Sequence, residues 1–302
     1  MAITAAMVKE LRERTGAGMM DCKSVLQEVD GNIEKAIEVL REKGLAKAAK
    51  KAGRIAAEGL VKEAVSADGK AAALVEINSE TDFVAKNEQF VTFVNQVAEM
   101  VLNNEVSDVD ALKALPWCED ASKTVNDVLT EKIALIGENL SLRRIARLTT
   151  EGTLAAYTHG GGKIVAIVEV ASEDEKAKEV GRNVAMQIAA VNPEFISMNE
   201  VSPEKIAKEK EILMHQAVNE NPGKPENIIE KMITGRLNKQ LKEICLLEQE
   251  YVKDPDMTVA KYVAAELGNQ DVIKRFVRFE TGEGIEKVEE NFAEEVAKQI
   301  QG

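Results

Sequence analysis

Aromatic residues are scarce in this 302-residue chain, at 4% of it, with a single Trp. That disfavours an aromatic-rich β-sandwich and a surface on which bases stack. Histidine is scarcer still: His159 and His215 are the only two. Cys22, Cys118 and Cys245 are odd in number and far apart, so no disulfide framework or metal knuckle is expected, and the thiols suit a reducing compartment. Cations are in deficit, 39 Lys+Arg against 52 Asp+Glu for a net charge of −13. Non-specific nucleic-acid binding needs the opposite balance, so no direct nucleic-acid partner is expected. No run approaches the roughly 18 apolar residues of a membrane helix. The start, Met1-Ala2-Ile3-Thr4, lacks the charged and apolar regions of a signal peptide, so the expected location is the cytoplasm, with no membrane partner. Catalytic motifs are missing too: no nucleophile elbow, no phosphate loop, no dinucleotide fingerprint. Gly160-Gly161-Gly162-Lys163 precedes a strand, not a helix, and reads as a turn. The expectation is a protein without covalent chemistry, cofactor or resident metal.

What is present is a core-forming composition, 45% hydrophobic, over a length that suits about two domains at roughly 150 residues each. Residues 1–45 read as three short helices. Thr4 caps the first, Thr15-Gly16-Ala17-Gly18 breaks it, Met19 to Val29 forms the second, and Asn32 caps a third that stops near Gly44. The basic, Ala-rich Ala46 to Ala52 reads as a semi-rigid linker.

The chain then repeats itself. Arg54, Glu58, Gly59, Gly69, Lys70, Val75, Glu76 and Ser79 match Arg147, Glu151, Gly152, Gly162, Lys163, Val168, Glu169 and Ser172, all at an offset of 93. Each copy reads as strand, glycine turn, strand and helix, the helices lying near Glu88–Leu102 and Glu175–Val191. A later echo sets Arg144 to Leu148 against Arg275 to Phe279, at an offset of 131. The second copy is longer by 131 − 93 = 38 residues. Pro203 to Asp254, similar in size to the excess but not equal to it, reads as an inserted helical hairpin, and Ile285 to Ile300 reads as a terminal amphipathic helix. The expected fold is α+β: a three-helix module, a duplicated core, a helical arm and a terminal helix. An elongated molecule with several surfaces suits gripping a large partner better than enclosing a small substrate.

The copies differ where the second strand meets its helix. The second has an ordinary acidic helix start, Ser172-Glu173-Asp174-Glu175. The first has Ser79-Glu80-Thr81-Asp82-Phe83-Val84-Ala85-Lys86-Asn87, with an apolar pair among polar neighbours. Phe83 is either a staple folded under the helix or a wedge for a partner's crevice. Asp82, beside it, is a carboxylate of the kind that caps a following helix.

These segments resemble the bacterial elongation factor Ts family. Thr15 to Lys23 and Glu80 to Asn87 are similar to its two signatures, and Tyr157 to Ile164, Asn192 to Ile196 and Arg278 to Ile285 extend the likeness end to end. The resemblance implies a ubiquitin-associated-like (UBA-like) domain with linker over 1–53 and core subdomains over 54–143 and over 144–202 with 256–282. It also implies a coiled-coil arm over 203–255 and a C-terminal helical module over 283–302. It implies a guanine nucleotide exchange factor whose partner is the GTPase elongation factor Tu. Arg12, Met19 and Met20 would touch the partner's G domain, and so would the terminal helix. Thr81, Asp82, Phe83 and Val84 would intrude beside its Mg²⁺, and the region of His159 would meet its third domain. Homodimerisation through the arm is left open. The alternative is a non-catalytic adaptor or holdase acting through Met19 and Met20.

Overall fold

In a computed structural model, residues 3–286 are described. The terminal helix expected over 285–300 falls outside them from residue 287 on. The fold is mixed α and β, with eleven α-helices and small antiparallel sheets among the described residues.

Two compact units emerge. One holds residues 3–62, 75–145 and 280–286 of those described; the other holds 63–74 and 146–279. Three helices open the chain: α1 (Ala5–Thr15), α2 (Met19–Glu28) and α3 (Ile33–Lys51). The Thr4 hydroxyl accepts from the Met7 N–H and Asn32 Oδ1 from the Lys35 N–H, satisfying helix-end donors as their residue types favour. Gly16, at φ +67°, closes α1 in the left-handed conformation that costs glycine least. Val8, Leu11, Cys22, Val25, Leu26 and Ala36 form the small core of these helices.

Gly44 does not end the third helix, and Ala46 to Lys51 are not a linker. α3 runs on through both. Gly44 is buried, and a Cβ there would lie 3.5 Å from the Cβ of Ala134. The glycine is a close-packing site against another helix, which outweighs its weak propensity. That helix is α7 (Val125–Ile136), which follows α4 (Asp82–Ala85), α5 (Glu88–Asn103) and α6 (Val109–Ala114). α6 and α7 were not expected. Thr124 and Asp127 form a reciprocal capping box at the start of α7, and Gly137, at φ +88°, ends it.

The strands bear out the repeat. β1 (Glu58–Val65), β2 (Ala71–Ser79) and β3 (Leu140–Thr149) form one sheet in the order β1-β2-β3. β4 (Thr153–His159), β5 (Ile164–Val170) and β8 (Ile273–Glu280) form another in the order β4-β5-β8. β4 and β5 pair antiparallel from Thr153↔Val170 to His159↔Ile164, across the glycine turn. α8 (Ala177–Val191) is the second copy's counterpart of α5. Its buried face, with Val180, Val184 and Ile188, joins β5 in the second unit's core.

Matched positions repeat their chemistry. A Cβ on Gly59 would come within 2.3 Å of the Ile77 carbonyl oxygen, and one on Gly152 within 2.2 Å of the Val170 carbonyl oxygen. Arg144 Nε donates to Glu76 Oε2 at 2.5 Å, and its Nη2 donates to the Glu280 carbonyl at 3.0 Å. In the second copy Arg275 Nε donates to Glu169 Oε2 and its Nη2 to the Thr149 carbonyl.

The insertion is a hairpin of α9 (Pro203–Glu220) and α10 (Glu226–Ile244). Ser202 caps α9 with Pro203 in its first turn, and Leu213, Ala217, Ile229, Ile233, Leu237 and Leu241 make the seam between the helices. A two-stranded ribbon, β6 (Glu250–Tyr251) with β7 (Asp254–Thr258), and helix α11 (Val259–Leu267) lead to β8. Cys245 is buried, and that burial pushes its thiol up to about 11, so it packs as a small hydrophobe.

Glu76 has no exposed surface. Arg143, Asn78 and the Gly282 N–H also donate to it, at 3.0, 3.0 and 2.8 Å. Burial alone pushes its pKa up. The Gly282 N–H, the Asn78 amide and Arg144 outweigh that and hold it below its ordinary 4.5. Its contribution is therefore present above the unfolded-state value and lost as pH falls through the folded one. Glu76→Gln should lower stability at neutral pH by about 3 kcal/mol and flatten the loss of stability below about pH 4.5. Urea melts across pH check both. Gly59→Ala, at φ +122° and against backbone, should cost roughly 2 kcal/mol or more in the same melts.

Candidate functional site

β2 is buried along nearly its whole length and delivers the chain to a corner at Ser79. Ser79 is buried, and its hydroxyl donates to the Thr81 carbonyl at 2.9 Å. One short helix follows. Its end is closed by the Lys86 N–H on the Phe83 carbonyl and the Asn87 N–H on the Val84 carbonyl. Asn87 then caps α5, its Oδ1 accepting from the Gln89 and Phe90 N–H groups. α5 anchors the corner through buried Phe90, Phe93, Val94 and Val97, with Phe93 stacked on Trp117 at 5.6 Å between centroids.

The one turn of α4 has two faces. Val84 and Ala85 are buried, while Phe83 is 80% exposed. The staple reading of Phe83 is thereby answered, because Val84 is the residue tucked under. Asp82 is the first residue of α4, and its carboxylate accepts from Lys86 Nζ at 2.7 Å on an exposed face. Such a pair contributes little to stability. The cap of the long helix is Asn87, not Asp82. Thr81 occupies the N-cap position of α4, yet its hydroxyl makes no capping bond. It donates instead to Glu138 Oε1 at 2.7 Å, and its N–H donates to Glu138 Oε2 at 3.0 Å.

The first unit also carries Arg12, Met19 and Met20. All three side chains are exposed, Met19 at 59% and Met20 at 75%, so neither methionine fills the core. Leu135, at the end of α7, adjoins two hollows of this unit. One of about 360 Å³ is lined by Phe83, Val84, Asn87, Gln89 and Ile136. A cleft of about 440 Å³ on its other side is lined in part by Thr15, Gly18, Ile37, Leu45 and Ala134. Met19 and Met20 begin the helix that starts at the rim of that cleft. Sequence reasoning did not single out Leu135 or Glu138.

His159 ends β4 in the second unit and is exposed, its Nδ1 3.3 Å from the Tyr157 hydroxyl. Gly160, Gly161 and Gly162 follow it, all at positive φ, and the Gly162 and Lys163 N–H groups are turned back onto the His159 carbonyl. Those donors serve the turn and do not form a phosphate cradle. Among the described residues no cluster of His, Cys, Asp or Glu could hold a metal ion, and no helix is long and apolar enough to cross a membrane. The arrangement offers an exposed apolar ring beside a carboxylate, on a corner with rigid supports. Its chemistry is that of a contact surface.

Comparison with known proteins agrees with the likeness read from the segments. The family model described as Elongation factor TS matches residues 80–283. A protein named Elongation factor Ts from Clostridioides difficile (strain 630) is 56% identical over 303 residues, covering 99% of each chain. One of the same name from Clostridium perfringens (strain 13 / Type A) is 57% identical over 302 residues, covering 98% of each. Another, from Clostridium botulinum (strain Alaska E43 / Type E3), is 55% identical over 304 residues, covering 99% of each. With the duplicated strands, the Thr81–Val84 corner and this likeness along its whole length, the chain belongs to the elongation factor Ts family of protein-biosynthesis factors.

Proposed function

We propose that the chain is the guanine nucleotide exchange factor of its cell's elongation factor Tu, displacing Mg²⁺ and promoting GDP release so that GTP can bind. The observation that carries this reading is the 80% exposure of Phe83 on a turn whose neighbour Val84 is buried. A side chain able to bury itself, but held out, is available to a partner.

The mechanism requires no bond to be made or broken. A G domain holds its nucleotide tightly because Mg²⁺ bridges phosphate and protein oxygens. An exchange factor must bind the empty form better than the loaded one, and by linkage the nucleotide then weakens the factor's grip by the same ratio. Phe83 supplies the differential term by entering a crevice that opens once the metal and phosphate contacts are displaced. Asp82 brings negative charge to the groups that hold the metal's water shell. Val84 is the buried anchor of the turn, and Thr81 fixes its start. Arg12, Met19 and Met20 contribute a second patch on the same partner domain, and the surface around His159 contributes a third on another.

In this reading residues 1–53 are the UBA-like domain and 203–255 the coiled-coil arm. Residues 54–143 are the first core subdomain, and 144–202 with 256–282 the second. The helix continuity through Lys51 fits a first domain seated on α7, not one swinging on a linker. The exposure of Met19 and Met20 also favours a second reading, a non-catalytic adaptor or holdase that acts through those side chains.

Burying one phenylalanine ring is worth about 1.5–3 kcal/mol. At about 1.4 kcal/mol per decade, Phe83→Ala should slow factor-driven GDP release by about ten- to a hundredfold. The melting temperature should stay unchanged, since the ring packs on so little. Stopped-flow release of a fluorescent GDP from elongation factor Tu, at saturating factor, measures this; an unaltered rate would count against the wedge. Met19→Ala with Met20→Ala separates the two readings. An exchange factor keeps a weakened grip through its other patches, whereas an adaptor loses its binding altogether. Titration calorimetry with the GTPase reads the difference. Deleting residues 1–53 is the poorer test, because it strips α3 from α7.

A further inference from the structure

We propose that Glu138 is a positioning residue for nucleotide exchange: its carboxylate clamps Thr81 and so holds the turn from which Phe83 projects. The inference rests on the wedge reading of Phe83 and extends it to a residue outside the corner itself.

The clamp is two-pronged. Glu138 Oε1 accepts the Thr81 hydroxyl at 2.7 Å and Oε2 accepts the Thr81 N–H at 3.0 Å. One carboxylate thus fixes both the backbone and the side chain of the residue at which the turn begins. The bonds span 57 positions of sequence. A second contact lies beside it, where the buried Asn139 donates its backbone N–H to Glu80 Oε1 at 2.6 Å and its side-chain amide to the Arg54 carbonyl at 2.8 Å. Consecutive residues of one loop are therefore tied to consecutive residues of the other. Gly137 makes this possible: its left-handed backbone ends α7 and turns the chain toward the corner, and Lys51 Nζ donates to its carbonyl.

Two facts separate this from ordinary fold support. The Thr81 hydroxyl gives up the capping bond that Thr usually makes at a helix start, and helix capping is the stabilising use of that group. The second copy also builds its strand-to-helix corner with different chemistry at the equivalent position. At the offset of 131 the counterpart of Glu138 is Asn269, whose Oδ1 accepts from the Asp271 N–H two residues on. At that corner Ser172 Oγ accepts from the Asp174 N–H and Asp174 Oδ1 from the Lys176 N–H, while the long-range ties run from the Ala171 N–H to the Val272 carbonyl and from Lys70 Nζ to Glu173, a different set from the two-pronged bond at Thr81. The long-range carboxylate clamp accompanies the corner that presents an aromatic ring.

An exposed ring on a short turn delivers its binding energy only if the turn is already in place when the partner arrives, since ordering it afterwards costs free energy. Bonds to a charged acceptor are strong enough for their loss to slow exchange by about tenfold or more. Glu138→Ala should therefore lower the maximal rate of GDP release by that factor. The factor concentration at half-maximal rate should shift little, because the methionine patch and the second unit still bind. Glu138→Gln keeps the shape but only one acceptor oxygen, so its rate should fall between the two; it also serves if the alanine variant folds poorly.

The decisive measurement is a double-mutant cycle by stopped-flow GDP release. If Glu138 acts through the ring, Glu138→Ala adds no further loss to Phe83→Ala. A further loss of the same size in the double variant, or an unaltered maximal rate in Glu138→Ala and Glu138→Gln, overturns the clamp while leaving the wedge. An unaltered rate in Phe83→Ala overturns the wedge, and the clamp with it.

Discussion

Glu76 is the charge around which the first copy is built. It sits in the middle of β2 with no exposed surface, and its two oxygens gather Arg143 and Arg144 from β3, the Asn78 amide and the Gly282 N–H. A buried carboxylate is tolerated only when its lone pairs are taken up this completely. The consequence is geometric. β2 cannot slide by a residue without expelling the charge from its donors, so its register is fixed. Three residues beyond Glu76 the strand ends at Ser79, and the corner begins from a point that cannot drift.

The duplication shows which parts of that arrangement are scaffold. Glu169 and Arg275 repeat the pair of Glu76 and Arg144, and Gly59 and Gly152 both lie where a side chain would strike the neighbouring strand. Both copies need these features, whatever each copy does. The Thr81–Val84 corner and Glu138 lie outside the shared set. Within one chain, the second copy therefore acts as a control for the first. Interactions common to both make a sheet stand, and the Thr81–Glu138 bonds are among those confined to one.

Much of this was legible beforehand. The strands, the glycine turn, the hairpin and its breaks all follow from period, proline and glycine placement, and the offset of 93 gave the pairing of copies. Gly44 was misread because glycine past a helical run has two physical uses, as a left-handed stop or as a flat spot for a neighbouring helix. Only Ala134 decides between them. α6 and α7 were passed over because the first copy's residues there face the inserted arm in the alignment, where the repeat fades. Phe83 was open between staple and wedge because both put an aromatic at a helix entrance. Val84 takes the buried place, which removes the staple. Glu138 could not be found from spacing at all. Its partner lies on the far side of four helices in sequence, and a carboxylate after a glycine stop carries no pattern of its own.

The corner's asymmetry is also what makes exchange without chemistry physically reasonable. A ring of this size buried at home would add stability to the factor and nothing to its affinity for a GTPase. Held out at 80% exposure, it forgoes that stability in the free protein; in the proposed complex it regains it only where the partner has room for it. The discrimination between loaded and empty partner then depends on how little the turn yields when no crevice is open. A loose turn would let the ring lie flat against a closed surface and bind both forms alike, which lowers no barrier. Under the proposed exchange mechanism, rigidity at Thr81, supplied from the end of α7, is thus the condition under which a single exposed side chain can tell the two states apart.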